Sequence, residues 1–232
     1  TANGLLAIGA SPVMSECSED LKDLILHASA LLINIGTLTP DKVNYYNDAI
    51  ALAKKYEVPI VLDPVGCHAG AYRLSVVLDL IKTGAISLLR GNQSEIKAIY
   101  DALSPDDQAD TSTTGKGVDS GQVEDSAVIA YRLARLINCP VVATGEEDYV
   151  SDGTRVFAVP HGHPIMTAVT GTGCLLGAVL AAFFSSYYPC KDRLSIGEFL
   201  AYALAYYGLA GESAVQVSGV KPGSFSMAFM DA

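Results

Sequence analysis

ALLINIGTLTPDKVNYYNDAIALAKKYEVPIVLD, residues 30–63, holds one complete strand–helix–strand unit. Ala30 to Ile35 is a short apolar run that stops at Gly36, and Pro59 to Leu62 is a second that stops at Asp63. Runs that are apolar at consecutive rather than alternate positions fit strands buried on both faces. Between them, Thr39 supplies an N-cap, Pro40 falls at the first helical position and Asp41 lies in the first turn, where the helix dipole favours negative charge. Val43, Tyr46, Ile50 and Ala53 follow at helical spacing. A helix of this length is the crossover that two parallel strands need.

The same alternation continues outward. Leu74 to Lys82 reads as a helix that stops at Gly84, Ala85 to Leu89 as a strand that ends at Arg90, and Ser94 to Leu103 as a helix. Residues 104–121 are polar and rich in Gly, Asp, Ser and Thr, so they read as a long loop. Val123 to Ile137 predicts a helix, Pro140 to Ala143 a strand that ends at Thr144-Gly145, and Tyr149 to Val159 a hairpin turned at Asp152-Gly153. The last third predicts two long helices, about 173–188 and 195–217, broken at Pro189. The expectation is an α/β fold, a mostly parallel sheet with helices on both faces. Residues 1–232 show no linker and no internal repeat, which predicts a single domain.

Composition narrows the function. Of 232 residues, 50% are hydrophobic and 17% charged, so the chain can bury a full core and is not a disordered tract. The net charge of −10 argues against binding nucleic acid or an anionic membrane surface. The five cysteines are an odd number at wide spacing with no CxxC pair, which speaks against a zinc cluster and for a reducing cytoplasm. Cys174 to Tyr188 is nearly all apolar, but its 15 residues fall short of the ~20 that span a bilayer. Phe199 to Val217 is interrupted by Glu212, Ser213 and Gln216, so both stretches read as buried helices.

Ligands of open α/β sheets bind outside the carboxyl ends of the strands. The polar residues there are Asn34 and Thr37, Asp63, Arg90, Asn92 and Glu95, and Thr144, joined by the later Thr170 to Cys174. The sharpest signal is TGTGCLLG, residues 170–177, at the head of an apolar helix. Gly171 and Gly173 let backbone N–H groups approach a ligand, and the helix start adds partial positive charge, which together suit a phosphoryl group. A Gly-x-Gly is also a common tight turn. The stretch is neither a GxxxxGK[ST] loop nor GxGxxG, since the third glycine is Gly177. In RGNQSE, residues 90–95, Arg90 suits nucleotide phosphates and Glu95 suits Mg2+ reached through water. Asn92 with Glu95 is equally a helix-capping pair. Asp63, before Pro64, suits Mg2+ or a supporting position, and is also an ordinary turn former. Cys67-His68 makes too few ligands for a metal, and His161 and His163 fit a solvated loop. The tyrosines at 187, 188, 202, 206 and 207 fit core and subunit interface.

Seven stretches carry a resemblance: ANGLLAIGASPVM at 2–14, NIGTL at 34–38, LDPVG at 62–66, RGNxSEI at 90–96, GKGVDS at 115–120, VTGTGC at 169–174 and KPGSF at 221–225. In this order they resemble the hydroxyethylthiazole kinases, over essentially the whole chain. The resemblance implies a ribokinase-like fold and transfer of the ATP γ-phosphoryl group to the hydroxyl of 4-methyl-5-(2-hydroxyethyl)thiazole, for thiamin phosphate synthesis. It implies a homotrimer with active sites between subunits. It places Met14 and Gly171 on the thiazole, with Asn34 and Thr37 beside them, and Arg90, Thr144 and Gly173 on ATP. Asp63 and Glu95 serve Mg2+, and Cys174 stands at the catalytic position. Ribokinase-like kinases mostly carry Asp there; a helix N-terminus favours thiolate, and positioning dominates phosphoryl transfer, so a thiol can serve. Cys174 as a mere cap is the other reading.

Compared with the family, the chain is expected to lack a few tens of residues at the start, including a first strand, and part of the last helix. It also has His68 where the family has glycine. Rival readings are a ribokinase-like kinase for another heteroaromatic alcohol, such as a pyrimidine or pyridoxal alcohol, a dehydratase of the same fold, a non-catalytic thiazole or nucleotide binder, and one half of a bifunctional protein. Asp at position 174 would be expected of the first two.

Overall fold

The computed structural model describes residues 1–105, 120–187 and 190–232. The GKGVDS stretch and the polar segment after Leu103 lie almost wholly outside the described residues, as do Tyr188 and Pro189.

Among the described residues, six strands form one sheet in chain order: β1 (Leu31–Asn34), β2 (Ile60–Asp63), β3 (Leu88–Asn92), β4 (Val141–Thr144), β5 (Asp148–Ser151) and β6 (Val156–Val159). Strands β1 to β4 pair in parallel, β5 pairs antiparallel with β4, and β6 pairs antiparallel with β5, so only β5 runs against the others. The helices among the described residues are α1 (Ala2–Ala7), α2 (Leu21–His27), α3 (Pro40–Lys55), α4 (Ala71–Lys82), α5 (Gln93–Leu103), α6 (Ser120–Ile137), α7 (Thr172–Ser185), α8 (Ile196–Ser218) and α9 (Pro222–Asp231). The α/β expectation holds, and the parallel strands are joined by helices as the 30–63 stretch predicts.

Strand periodicity divides the core in two. Ile60 and Leu62 of β2, Leu89 of β3, and Val141 and Ala143 of β4 point into one cluster with residues of α2 to α6. Val61, Leu88 and Val142 point the other way, into a cluster with α7, α8 and α9. Residues two apart share a face. Asp63, Arg90 and Thr144 therefore lie on the second face, under α7.

Local rules set the helix starts. The Thr39 hydroxyl accepts from Lys42 N–H at 3.3 Å. Asn92 and Glu95 form a full capping box at α5, and Ser195 with Glu198 forms another at α8.

Two expectations need correction. Strand β3 begins at Leu88, not Ala85, and runs on to Asn92. Ser87 opens the pairing with Ile60, bonding it through both backbone and hydroxyl, and the partner strand β4 extends pairing as far as Asn92↔Thr144. Arg90 is thus inside the sheet rather than beyond it. The last third holds a third helix, α9, and α8 is not buried all round: Tyr202, Tyr206, Leu209 and Val217 are exposed along it.

Candidate active site

A chain of polar contacts crosses the carboxyl ends of four strands. Asn34 Nδ2 donates to Asp63 Oδ2 at 2.8 Å. Asp63 Oδ1 faces Arg90 Nη1 at 3.5 Å. Arg90 Nη2 donates to the Thr144 hydroxyl at 3.1 Å, and that hydroxyl reaches the Gly91 carbonyl at 3.4 Å. Asp63 is wholly buried and Arg90 nearly so. Burial pushes the Asp63 carboxyl up to about 6, against the pull of Arg90 and the Asn34 bond, while Glu95 pushes the same way as burial. The Arg90 Nε is buried with no hydrogen-bond partner. A buried donor left over in this way is uncommon and points to a role for the guanidinium outside the fold's own bonding.

Helix α7 roofs this chain. Gly171 precedes it in a left-handed conformation, φ 92°, and open space lies where its side chain would be. A side chain at Gly173 would stand 3.4 Å from both terminal nitrogens of Arg90. Thr172 Oγ1 donates to the Met166 carbonyl at 2.8 Å, fixing the entry to the helix. Leu175 N–H closes the first turn onto the Gly171 carbonyl at 2.8 Å. The N–H groups of Gly173 and Cys174 thus lie ahead of the hydrogen-bonded ladder, above a guanidinium. This arrangement suits an anion, with Cys174 half-buried at its edge.

Glu95 does two structural jobs. Its Oε2 accepts from Asn92 N–H at 2.8 Å, and its Oε1 accepts from Gly66 N–H at 2.7 Å, where Gly66 is left-handed at φ 71°. The capping role is therefore realised, and it also pins the turn after β2. Each oxygen of the two carboxylates takes one partner from the protein and keeps a further lone pair. No group of three His, Cys, Asp or Glu suited to a metal occurs among the described residues, and two carboxylates fit a hydrated Mg2+ carried by a nucleotide.

The structure thus unites Asn34, Asp63, Arg90, Thr144, Glu95, Gly171, Gly173 and Cys174. Met14 and Thr37 are exposed at the rim instead. Gly4 of α1 packs against Leu175, while Ser15 accepts from Tyr45 Oη at 3.1 Å and Glu16 pairs with Lys42 at 2.7 Å, both on α3. Residues 8–16 therefore lead from α1, beside α7, to α3, and Met14 sits on that span. His161 contacts Glu212 at 3.3 Å, and His163 caps the turn at Ile165; Cys67 is buried, with burial pushing its thiol up to about 12. None of the three makes a metal set.

Tyr207 belongs to the site although its place in the tyrosine cluster marked it as core or subunit interface. Its hydroxyl donates to the Thr172 carbonyl at 2.7 Å, and its ring packs edge-on against Phe229. Burial raises that hydroxyl far above its ordinary range, with Arg90 pulling it down and Cys174 pushing it up. A buried tyrosine needs a partner, but no sequence signal says which one.

The chain matches the hydroxyethylthiazole kinase family over residues 1–232. It is 50% identical to a hydroxyethylthiazole kinase of Streptococcus agalactiae serotype Ia, over all of this chain and 86% of that one. The solved structure of a hydroxyethylthiazole kinase protein from Pyrococcus horikoshii OT3 is 36% identical and superposes with a TM-score of 0.84, over 99% of this chain and 80% of that one. A ribokinase-like superfamily protein of Enterococcus faecalis V583, 20% identical, shares the fold with a TM-score of 0.62, over 95% of this chain and 68% of that one.

Proposed function

The chain belongs to the hydroxyethylthiazole kinase family, and from that premise we infer that it transfers the γ-phosphoryl group of ATP to the hydroxyl of 4-methyl-5-(2-hydroxyethyl)thiazole. The product is the thiazole phosphate used for thiamin phosphate. The observation that carries the reading is the anion cradle: the start of α7 stands over Arg90, whose Nε is buried without a partner.

The acceptor oxygen attacks the γ-phosphorus, the bond from that phosphorus to the β–γ bridging oxygen breaks, and ADP leaves. The hydroxyl proton passes to Cys174 Sγ, which acts as the base. The Gly173 and Cys174 N–H groups and the Arg90 guanidinium hold the charge that develops on the transferred group. Thr144 orients Arg90 from the β4 side, and Asp63 from the β2 side. Met14, Asn34, Thr37 and the Gly171 backbone form the acceptor end.

Asp63 and Glu95 would hold an Mg2+ ion brought by the nucleotide, and the ion would supply neutralisation of phosphate charge. The protein works as a homotrimer with active sites between subunits, an assembly that would cover the exposed Met14 and the exposed face of α8. No helix among the described residues is long and apolar enough to cross a membrane. We place the protein in the cytoplasm.

The test is ADP release from Mg-ATP by the folded protein, with and without the thiazole alcohol. Acceptor-dependent ADP supports the reading. ATP binding with no acceptor-dependent ADP overturns it.

A further inference from the structure

We propose that Arg73 is a positioning residue that sets the shape of the acceptor end by clamping together the loops that follow β1 and β2. This rests on the reading that Thr37, in the loop after β1, is part of the end that receives the thiazole.

Arg73 lies in the first turn of α4, outside every motif that carries the chemistry. Its Nη1 donates to the Ile35 carbonyl at 2.8 Å and to the Val65 carbonyl at 3.0 Å. Its Nη2 donates to the Gly36 carbonyl at 3.1 Å. One half-buried guanidinium therefore holds three backbone acceptors on two separate loops. Those loops are the continuations of Asn34 and Asp63, the two residues that begin the polar chain. A charged donor strengthens each bond, and the fixed fork sets the angle between the two loops.

The clamp has complementary partners. Asn34 Oδ1 accepts from Gly36 N–H at 2.9 Å, holding the first loop from beneath. Glu95 holds Gly66 N–H at 2.7 Å, beside the Val65 carbonyl that Arg73 takes. The loops also touch: a side chain at Gly36 would stand 3.0 Å from Asn34 Oδ1 and 3.8 Å from the Val65 side chain. Without Arg73, three carbonyls lose their donor and nothing from α4 spans both loops. The exposed Thr37 follows the clamped Gly36 directly. Its position, and that of Val65, are thus tied to α4 through one side chain. Lysine cannot substitute fully, because its donors share one atom and do not form a fork.

The consequence is a split between the two substrates. Arg73 touches no part of the nucleotide cradle of Arg90, Thr144 and α7. Loosening the loops should weaken acceptor use and leave ATP alone. The experiment measures steady-state kinetics of the full chain with Arg73→Met and Arg73→Lys, together with amide hydrogen exchange at residues 35–37 and 64–67. For Arg73→Met, KM for the thiazole should rise about tenfold or more, with KM for ATP within about twofold. Arg73→Lys should recover part of the loss. Exchange should quicken in both loops and stay unchanged in β3 and β4.

Equal loss for both substrates, or no loss, overturns the proposal. Unchanged exchange at 35–37 and 64–67 overturns it too, and that readout works even if the wild type fails to phosphorylate the thiazole. Wild-type inactivity would count against the kinase reading, while unaltered exchange would count against the clamp. If Arg73→Met does not fold, Arg73→Lys carries the same comparison.

Discussion

Gly177 stands directly over Asp63: a methyl group on its Cα would lie 3.1 Å from Asp63 Oδ2. That oxygen cannot retreat freely, because it holds the Asn34 amide at 2.8 Å. The glycine lets α7 settle onto the sheet closely enough for its first turn to meet Arg90. Gly177→Ala gains about 1 kcal/mol of helix propensity. The crowding against a pinned, buried carboxylate costs about 1–3 kcal/mol, so it should win. We expect a lower Tm and a lower kcat, read by thermal unfolding and ADP release. A higher Tm would mean that Asp63 yields easily and that α7 is not set by this contact.

The Arg90–Asp63 pair should behave as one buried unit. Removing the cation alone strands a carboxylate that is wholly enclosed. Arg90→Met should cost about 3–5 kcal/mol of stability. Adding Asp63→Asn in that background should restore part of it, because the amide is neutral. The cycle is measured by urea unfolding of four proteins. Simple additivity of the two changes would show that the 3.5 Å contact carries no coupling.

Much of this was legible in the sequence, and the boundary has physical reasons. The 30–63 unit was readable because Thr39, Pro40 and the apolar spacing all specify one helix between two buried strands. The polar rim was readable because its residues close apolar strand runs at their carboxyl ends. The start of β3 was not, since Ala85 and Ile86 look like strand, and only the pairing of Ser87 with Ile60 shows where the ladder begins. Helices α3 and α6 also end without a glycine signal, at Glu57 and Asn138 in left-handed conformations. Tyr207 and Arg73 were missed for one reason. Each acts on backbone carbonyls far along the chain, and carbonyls leave no trace in residue identity.

Asp148 gives a pH prediction. Burial pushes its carboxyl up to about 6 from an ordinary 3.8, although Gly145 N–H donates to Oδ1 at 2.9 Å and Arg90 lowers it. The folded state therefore holds this proton more tightly than the unfolded one. Its favourable contribution is complete below about 4, and is lost as pH rises to about 6. Asp148→Asn keeps the acceptor for Gly145 and removes the half-buried charge. It should raise stability by about 2 kcal/mol above pH 6 and make no difference near pH 4. Unfolding at a series of pH values checks this. Equal stability of the two proteins at pH 7 would show that Asp148 ionises in the fold without cost.

Cys174 decides how the acceptor hydroxyl is activated. The residue sits in the first turn of α7, behind the left-handed Gly171 and close enough to Tyr207 to perturb it. If its thiolate takes the proton, Cys174→Ala should lower kcat about 100-fold. The affinity for ATP should change by no more than about twofold, because Arg90, Thr144 and the backbone N–H groups remain. Cys174→Ser should be nearly as slow, since a hydroxyl keeps the shape but not the basicity. The measurements are ATP binding by titration calorimetry and turnover by ADP release. Unchanged turnover in Cys174→Ala would remove the base role and leave the cradle acting by charge and position alone. A large loss of ATP affinity would instead make the thiol part of the nucleotide site.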